Sequence, residues 1–322
     1  MNAWPLDEGL IDYVDATYGG ATDENAFAAL NVIANPSFTL SGKDIDASTI
    51  TPALLSETLQ EADGVEANVA TGYHAIEFLL WGQDLNGTDA GAGARPFTDY
   101  ATGDACTGGN CDRRADYLRI ATQLLVENLE YMAAQWSDTG AARAAVLAQE
   151  ADGISMMLTG MGSLSYGELA GQRMKLGVLL NDPEEEHDCF SDNTQHSHYY
   201  DAVGIQNIYL GRYTGLDGSV ISGPSLYELI AETDTGVAEQ LKTEIATSID
   251  DLAAIVTATE NGMAYDMMLA RDNTEGEALI LGAVDALVAQ TRSIERAVAV
   301  LNLDDIALEG SESLDAPDAV FE

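Results

Sequence analysis

Apolar residues recur at three- and four-residue spacing along most of the chain, the mark of helices with one buried face. The pattern predicts a helix over Glu61 to Asp84, stopped by Asn86-Gly87. A second runs from Asp112 to Ser137, opening on an aspartate N-cap and carrying Leu118, Leu124, Leu125 and Leu129. A third covers Ala141 to about Met161. Ser225 to Thr259 reads as one or two helices with a break at Thr235-Gly236, and Asn273 to Leu301 as a last long one. Shorter helical pieces fall near Leu6 to Thr17 and Thr22 to Ile33. No stretch alternates every second residue between hairpin turns, so no sheet is expected. The loop from Gly87 to Asn110 is long enough to cover something. Gly162 to Tyr200 is dense in polar, histidine and acidic residues and joins the halves. Leu303 to Glu322 is acidic and weakly patterned, a strap or a tail.

A faint repeat gives this order a reason. The segment ending Phe-Leu-Leu-Trp-Gly82 can be laid on the one ending Asn-Ile-Tyr-Leu-Gly211, which matches Glu77 with Gln206. Each copy precedes a loop and a long amphipathic helix. The expected fold is all-α: two up-and-down helical bundles related by internal duplication, 1–164 and 165–322, with the site near their interface.

The first predicted helix carries the chemistry. Val65, Val69, Tyr73, Ala75, Ile76, Phe78, Leu79 and Leu80 cover most of its circumference, which buries it. Glu66, His74, Glu77 and Asp84 fall in one narrow sector at 100° per residue. Carboxylates buried there need partners. His74 and Glu77, three positions apart, leave the same face. Two readings stand: a hydrogen-bonded structural pair, or two ligands of a metal site completed from elsewhere. Gly72, one turn earlier, lets another group approach closely.

Charge narrows the classes. Fifty-four acids against 13 bases give a formal charge of −41. That field repels nucleic acid and anionic membranes, attracts cations, and equally suits a surface adapted to salty water. No apolar run is long enough for a transmembrane segment, and Met1 to Pro5 do not form a signal peptide. Cys106 and Cys111 bracket a glycine-rich loop and read as a disulfide, whereas a zinc site would need two more ligands. Cys189 is left over as a buried thiol.

Gly72-Tyr73-His74-Ala75-Ile76-Glu77 followed by Phe-Leu-Leu-Trp-Gly resembles the G-x-H-x-x-E signature of the imelysin family, also called M75 peptidases. The resemblance is closest to its iron-regulated protein A branch. It extends through Cys106 to Leu118, Gly162 to Met174 and Glu186 to Thr194. It implies two related helical bundles and export to the periplasm or outer-membrane surface. It also implies a link to iron acquisition, with His74 and Glu77 as metal ligands. Gln195 stands where the branch usually has a histidine, which weakens any role for His196.

Glu168, Arg173, Glu186 and Asp192 lie in the joining segment. They are candidates to complete or orient the site, Glu186 as a further carboxylate ligand and Arg173 as a charge partner. The alternative has them capping helices and tying bundles together. His187, His196 and His198 read as exposed loop histidines. The leading expectation is non-catalytic capture of iron or another divalent metal, zinc included, by His74, Glu77 and Glu186, in partnership with an outer-membrane iron-uptake system. A zinc peptidase is second. H-E-x-x-H is absent, and a motif whose two residues both bind metal has no general base left. A cleft-binding module for a peptide, haem or iron chelate is third.

Overall fold

A computed structural model describes residues 6–15, 25–304 and 306–321. The chain forms two compact units, one from 1–86 and 91–137, the other from 87–90 and 138–322. Residues 138–164, grouped with the first half in the sequence reading, belong to the second unit. The described residues are predominantly helical, and their only sheets are two small hairpins, so the fold is all-α.

The first unit departs most from expectation. Residues 37–46 form a hairpin of β1 (Ser37–Leu40) and β2 (Lys43–Asp46), in register Ser37 to Asp46. Ser41 and Gly42, at φ 48° and 77°, make the tight two-residue turn that such a hairpin requires. The helix expected from Glu61 is replaced by a loop and the shorter α1 (Tyr73–Trp81). Side chains supply the reason, because they offer the backbone non-helical partners. Gln60 Oε1 accepts from the amides of Ala70 and Thr71, and Asn68 Nδ2 donates to the Ala62 carbonyl. Glu61, Asp63 and Gly64 take positive φ. Of the short N-terminal helices expected, only the 3₁₀ turn Glu8–Leu10 and turns at 26–29 and 32–34 form among the described residues; 16–17 and 22–24 lie outside them.

The backbone of this unit is α2 (Cys111–Gln135). It starts at Asn110 in the left-handed region rather than on an aspartate cap. Its apolar face is buried through Tyr117, Ala121 and Leu125. Arg113 donates to four carbonyls, those of Val32, Ile33, Ala47 and Ser48, at 2.7–2.9 Å. One side chain thus ties the N-terminal turns and the end of the hairpin to α2. Cys106 and Cys111 form the expected disulfide, and Cys189 is a buried thiol.

The second unit is a helical bundle. It opens with α3 (Ala141–Ala148) and α4 (Glu150–Ser163), divided at Gln149 where one helix was expected. Leu164–Lys175 continues as a π-helix into α5 (Leu176–Leu180). Then come α6 (Thr194–Leu210), an exposed hairpin of β3 (Arg212–Thr214) and β4 (Val220–Ser222), and α7 (Leu226–Thr233). The chain proceeds through α8 (Thr235–Glu260), α9 (Tyr265–Leu269), α10 (Thr274–Val300) and α11 (Glu312–Asp315). Caps set the boundaries. Ser225 and Glu228 form a capping box, Asp234 accepts from Val237 N, and Asn273 accepts from Gly276 N. The break foreseen at 235–236 therefore falls at Asp234.

Helix α10 runs through the centre, burying Ile280, Ala283, Leu287, Ile294 and Ala297. Leu241, Ile245, Leu252 and Ile255 of α8 meet it at the same three- and four-residue spacing. Where Gln290 crosses this core both ends of its amide are bonded: Ser248 donates to it at 2.6 Å, and it donates to Ser165 at 2.8 Å.

The acidic C-terminal stretch is a strap, with residues 305 and 322 outside the described set. It follows a line of glycines on α4 and the π-helix. A Cβ on Gly162 would lie 2.5 Å from the Leu308 side chain, one on Gly167 2.5 Å from the Glu309 carbonyl, and one on Gly171 2.3 Å from Ser311 Cβ. Gly162, Gly167 and Gly171 stand five and four positions apart, and they share one face as α4 passes into the wider π winding. Ser313 Oγ donates to the Gly171 carbonyl, and Tyr166 to Asp315 at 2.7 Å.

Two glycines should therefore respond in opposite directions. Gly160→Ala, inside α4 with nothing within 4 Å, should stabilise by about 0.5–1 kcal/mol. Gly167→Ala should destabilise by about 1–3 kcal/mol by displacing the strap. Thermal melts of both variants check this; a Gly167→Ala melt equal to wild type would contradict the packing. Thiol titration of denatured, unreduced protein should find one thiol, Cys189.

Candidate metal centre

Helix α1 is short because glycines bound it. Gly72 precedes it at φ 101° and Gly82 follows at φ 76°, values that side chains tolerate poorly. His74 and Glu77 sit one turn apart on its inner side, 2% and 8% exposed. His74 Nδ1 lies 2.8 Å from Glu77 Oε2. Tyr73, between Gly72 and His74, is exposed. Glu66 is exposed in the preceding loop, so the one-sector grouping with His74 and Glu77 does not form. Asp84, beyond the helix, is buried, which raises its carboxyl above the usual range, while hydrogen bonds from Asn86 pull it back.

A buried ionic cluster fixes the far end of α1. Asp12, Arg114, Arg95 and Asp99 have side chains no more than 2% exposed. Arg114 holds Asp12 through two bonds, 2.6 and 3.0 Å, and Arg95 reaches Asp12 at 2.7 Å and Asp99 at 3.3 Å. Arg95 also donates to the Phe78 carbonyl at 3.4 Å, with its guanidinium 5.1 Å from the Phe78 and Tyr13 ring centres. Tyr100 donates to the Leu79 carbonyl. The last turn of α1 thus ends on side-chain donors (no C-terminal lysine or arginine of its own supplies them). Burial, then the bond to Asp99, pushes the Tyr13 phenol up to about 12.

In the second unit, the remaining predicted residues fall into two groups. Glu168 and Arg173 lie on the π-helix, 3.4 Å apart and partly exposed. Asp201 of α6 belongs with them. Its carboxyl is pushed up to about 6 by burial and by Asp188, with Arg173 opposing and Glu168 adding a smaller push. The sequence pattern missed Asp201, since nothing but its place on α6 distinguishes it from dozens of other acids.

Glu186 anchors the other group. It is 1% exposed, and burial together with the charge of Asp266 pushes its carboxyl well above the usual range. It therefore holds a proton more tightly than a free carboxyl does, and a cation ligating it would have to displace that proton. His187 and His198, expected on exposed loops, are 7% and 0% exposed. Helix α6 begins at Thr194, which turns His198 into the core against His187 and edge-on to Tyr265, ring centres 6.1 and 5.3 Å away. Burial pushes His198 down to about 3, so it stays neutral. His196, on the same helix, is only partly buried. Asp192 occupies a left-handed turn at φ 52°, and Gln195 is buried beside it, donating to its carbonyl at 3.5 Å.

A family model described as Imelysin, Peptidase_M75, matches residues 1–294. A solved structure described as an iron-regulated protein A precursor from Parabacteroides distasonis superposes with a TM-score of 0.59 at 16% identity. The match covers 93% of this chain and 74% of that one. At that identity the likeness establishes shared fold. No curated protein matches the chain.

Asp201 provides a pH test. A carboxyl raised in the fold binds its proton more tightly there, so its contribution is present below the ordinary value of 3.8 and is lost as pH rises through about 6. Carboxyl NMR should show one titration near pH 6 that vanishes in Asp201→Asn. The variant should gain roughly 1–2 kcal/mol over wild type at pH 8 and nothing at pH 3.5.

Proposed function

Because the chain belongs to the imelysin family, with that family's model covering residues 1–294, we propose that it captures iron or another divalent metal ion, without turnover, on behalf of an uptake system. The observation that carries this reading is the buried pair on α1. His74 Nδ1 and Glu77 Oε2 stand 2.8 Å apart. Two ligands at metal bonds of about 2.1 Å and a right angle stand about 3 Å apart. The separation matches the bite of a chelate; because Nδ1 and Oε2 point at each other across a hydrogen bond, the side chains turn for both to face one ion. Its chemistry, one imidazole with a carboxylate, suits iron and zinc and leaves soft metals less favoured. A net charge of −41 concentrates cations around the molecule before any reach the pair.

The ion is cargo on this reading. His74 and Glu77 are both spent as ligands, so neither serves as the general base a hydrolytic zinc site requires. The neighbour's description as an iron-regulated precursor favours iron over zinc and an exported location, the periplasm or outer-membrane surface. No helix among the described residues is long and apolar enough to cross a membrane. Partnership with an outer-membrane transport system would then be the destination of the cargo.

Metal titration followed by elemental analysis tests this. Wild-type protein should retain about one equivalent of iron, and His74→Ala and Glu77→Ala should each weaken binding by more than about 10-fold with helical circular dichroism unchanged. Glu77→Gln, isosteric and less able to ligate, guards against loss through misfolding. Metal retained by all three variants would remove the assignment. Casein digestion abolished by a chelator would replace capture with peptidase activity.

A further inference from the structure

Cys106 and Cys111 close a small ring, Cys-Thr-Gly-Gly-Asn-Cys, at the start of α2. The ring lies on the buried ionic cluster. The backbone of Gly108 rests against the Asp99 carboxylate so closely that a Cβ there would lie 2.1 Å from Oδ1. Arg114 Nη1 donates to the Gly109 carbonyl at 3.0 Å, and the Thr98 and Thr107 hydroxyls share a hydrogen bond. Beneath this cover Asp99 Oδ1 is shut off from water and has no hydrogen-bond partner among the described residues. A buried carboxylate oxygen in that state is costly, and water that reaches it recovers the cost. The disulfide thus closes a lid over a group that gains from its lifting.

The closure itself is open to chemistry. Both cysteines line a cavity of about 370 Å³, together with Ala101, Asn110 and Arg113. Cys106 is partly exposed, whereas Cys111 is buried, so an attacking thiolate meets Cys106 first. Cys111 is the first residue of α2, and the N-terminal end of a long helix stabilises a departing thiolate. Arg113 adds a guanidinium bonded to carbonyls rather than to a carboxylate. Asp112 opposes it from the same wall, but is exposed and screened by water.

We infer that the Cys106–Cys111 disulfide is an exchange site for a dithiol, and that its reduction lifts the 107–110 lid and lets water into the ionic cluster. One thiolate of the dithiol attacks Cys106 Sγ, which forms a mixed disulfide and expels Cys111 as a thiolate that takes a proton from water. The second thiol then attacks the mixed disulfide and expels Cys106. Two electrons pass to the protein, both cysteines end as thiols, and the dithiol ends as its own disulfide. The site is separate from the His74–Glu77 pair and does not depend on metal.

Treatment of the folded full chain with dithiothreitol, then iodoacetamide and peptide mapping, tests it. Cys106 and Cys111 should be labelled and buried Cys189 should not, with the melting temperature lowered by no more than about 10 °C. In the labelled protein, amide hydrogen exchange in the 3₁₀ turn Phe97–Tyr100 should speed up at least about 10-fold, while α8 and α10 stay unchanged. Cys111→Ser, which leaves Cys106 free, should react with glutathione disulfide at least about 10-fold faster than Cys106→Ser. Gly108→Ala pushes the lid off Asp99 and should speed reduction about 5-fold. A disulfide that resists dithiothreitol until the protein is denatured overturns the proposal. So does reduction that leaves exchange at Phe97–Tyr100 unchanged, or an unaltered reduction rate in Gly108→Ala.

Discussion

Charge taken out of water must be matched, and in the first unit that requirement organises the fold. Asp12, Arg95, Asp99 and Arg114 come from three segments distant in sequence and are almost completely buried. Replacing such a set with apolar residues often costs little, but removing one member strands a buried charge at about 3–5 kcal/mol. The cluster therefore specifies geometry more than it adds stability. Arg114 fixes the start of α2 against the N-terminal turn. Arg95 carries the constraint to the Phe78 carbonyl and ring. Phe78 follows Glu77 directly, so the orientation of the candidate ligands is set by a network that contains neither of them.

How much of this was legible in sequence depends on what held each element together. Helices α2, α8 and α10 were read nearly to their ends, because three- and four-residue apolar spacing is both the signal and the cause of their packing. The Gly72–Glu77 motif was legible for a different reason: glycine, histidine and glutamate at those offsets are chemically unusual on an apolar segment. The length of the helix bearing it was not. Apolar residues continue upstream, but Gln60 and Asn68 bond the intervening backbone into a loop, and such long-range side-chain bonds leave no periodic trace. The hairpins escaped too. Four-residue strands hold too few alternations to register, and every residue of β3 and β4 is exposed.

The second unit shows the same limit for chemistry. Glu168, Arg173, Glu186 and Asp192 could be singled out as polar residues in a joining segment, but not sorted. Their environments separate them: Glu168 and Arg173 remain in partial contact with water, whereas Glu186 is buried beside Asp266, which pushes its carboxyl well above the usual range. His198 would have been classed with exposed imidazoles on composition alone. The start of α6 at Thr194 decides otherwise, because a residue one turn into a helix faces wherever that helix packs. Local sequence names the titratable group, and tertiary packing sets its charge.

That division bears on what a histidine–carboxylate pair can do in such an acidic protein. Most of the 54 acids face solvent, where each interacts weakly with a passing cation and water screens the rest. They raise the local concentration of cations without holding any one of them. Holding requires ligands that have already given up water, and burial favours the protonated form of a carboxylate, the direction in which Glu186 is pushed. Glu77 is buried beside an imidazole instead of a second carboxyl. His74 Nδ1 and Glu77 Oε2 lie 2.8 Å apart, within hydrogen-bond distance. On the proposed capture, an ion at that pair would meet an imidazole and a carboxylate already held together, rather than an exposed acid in bulk water. The glycine-bounded helix and the ionic cluster behind it hold the pair in place, while the surrounding negative field draws cations toward the molecule.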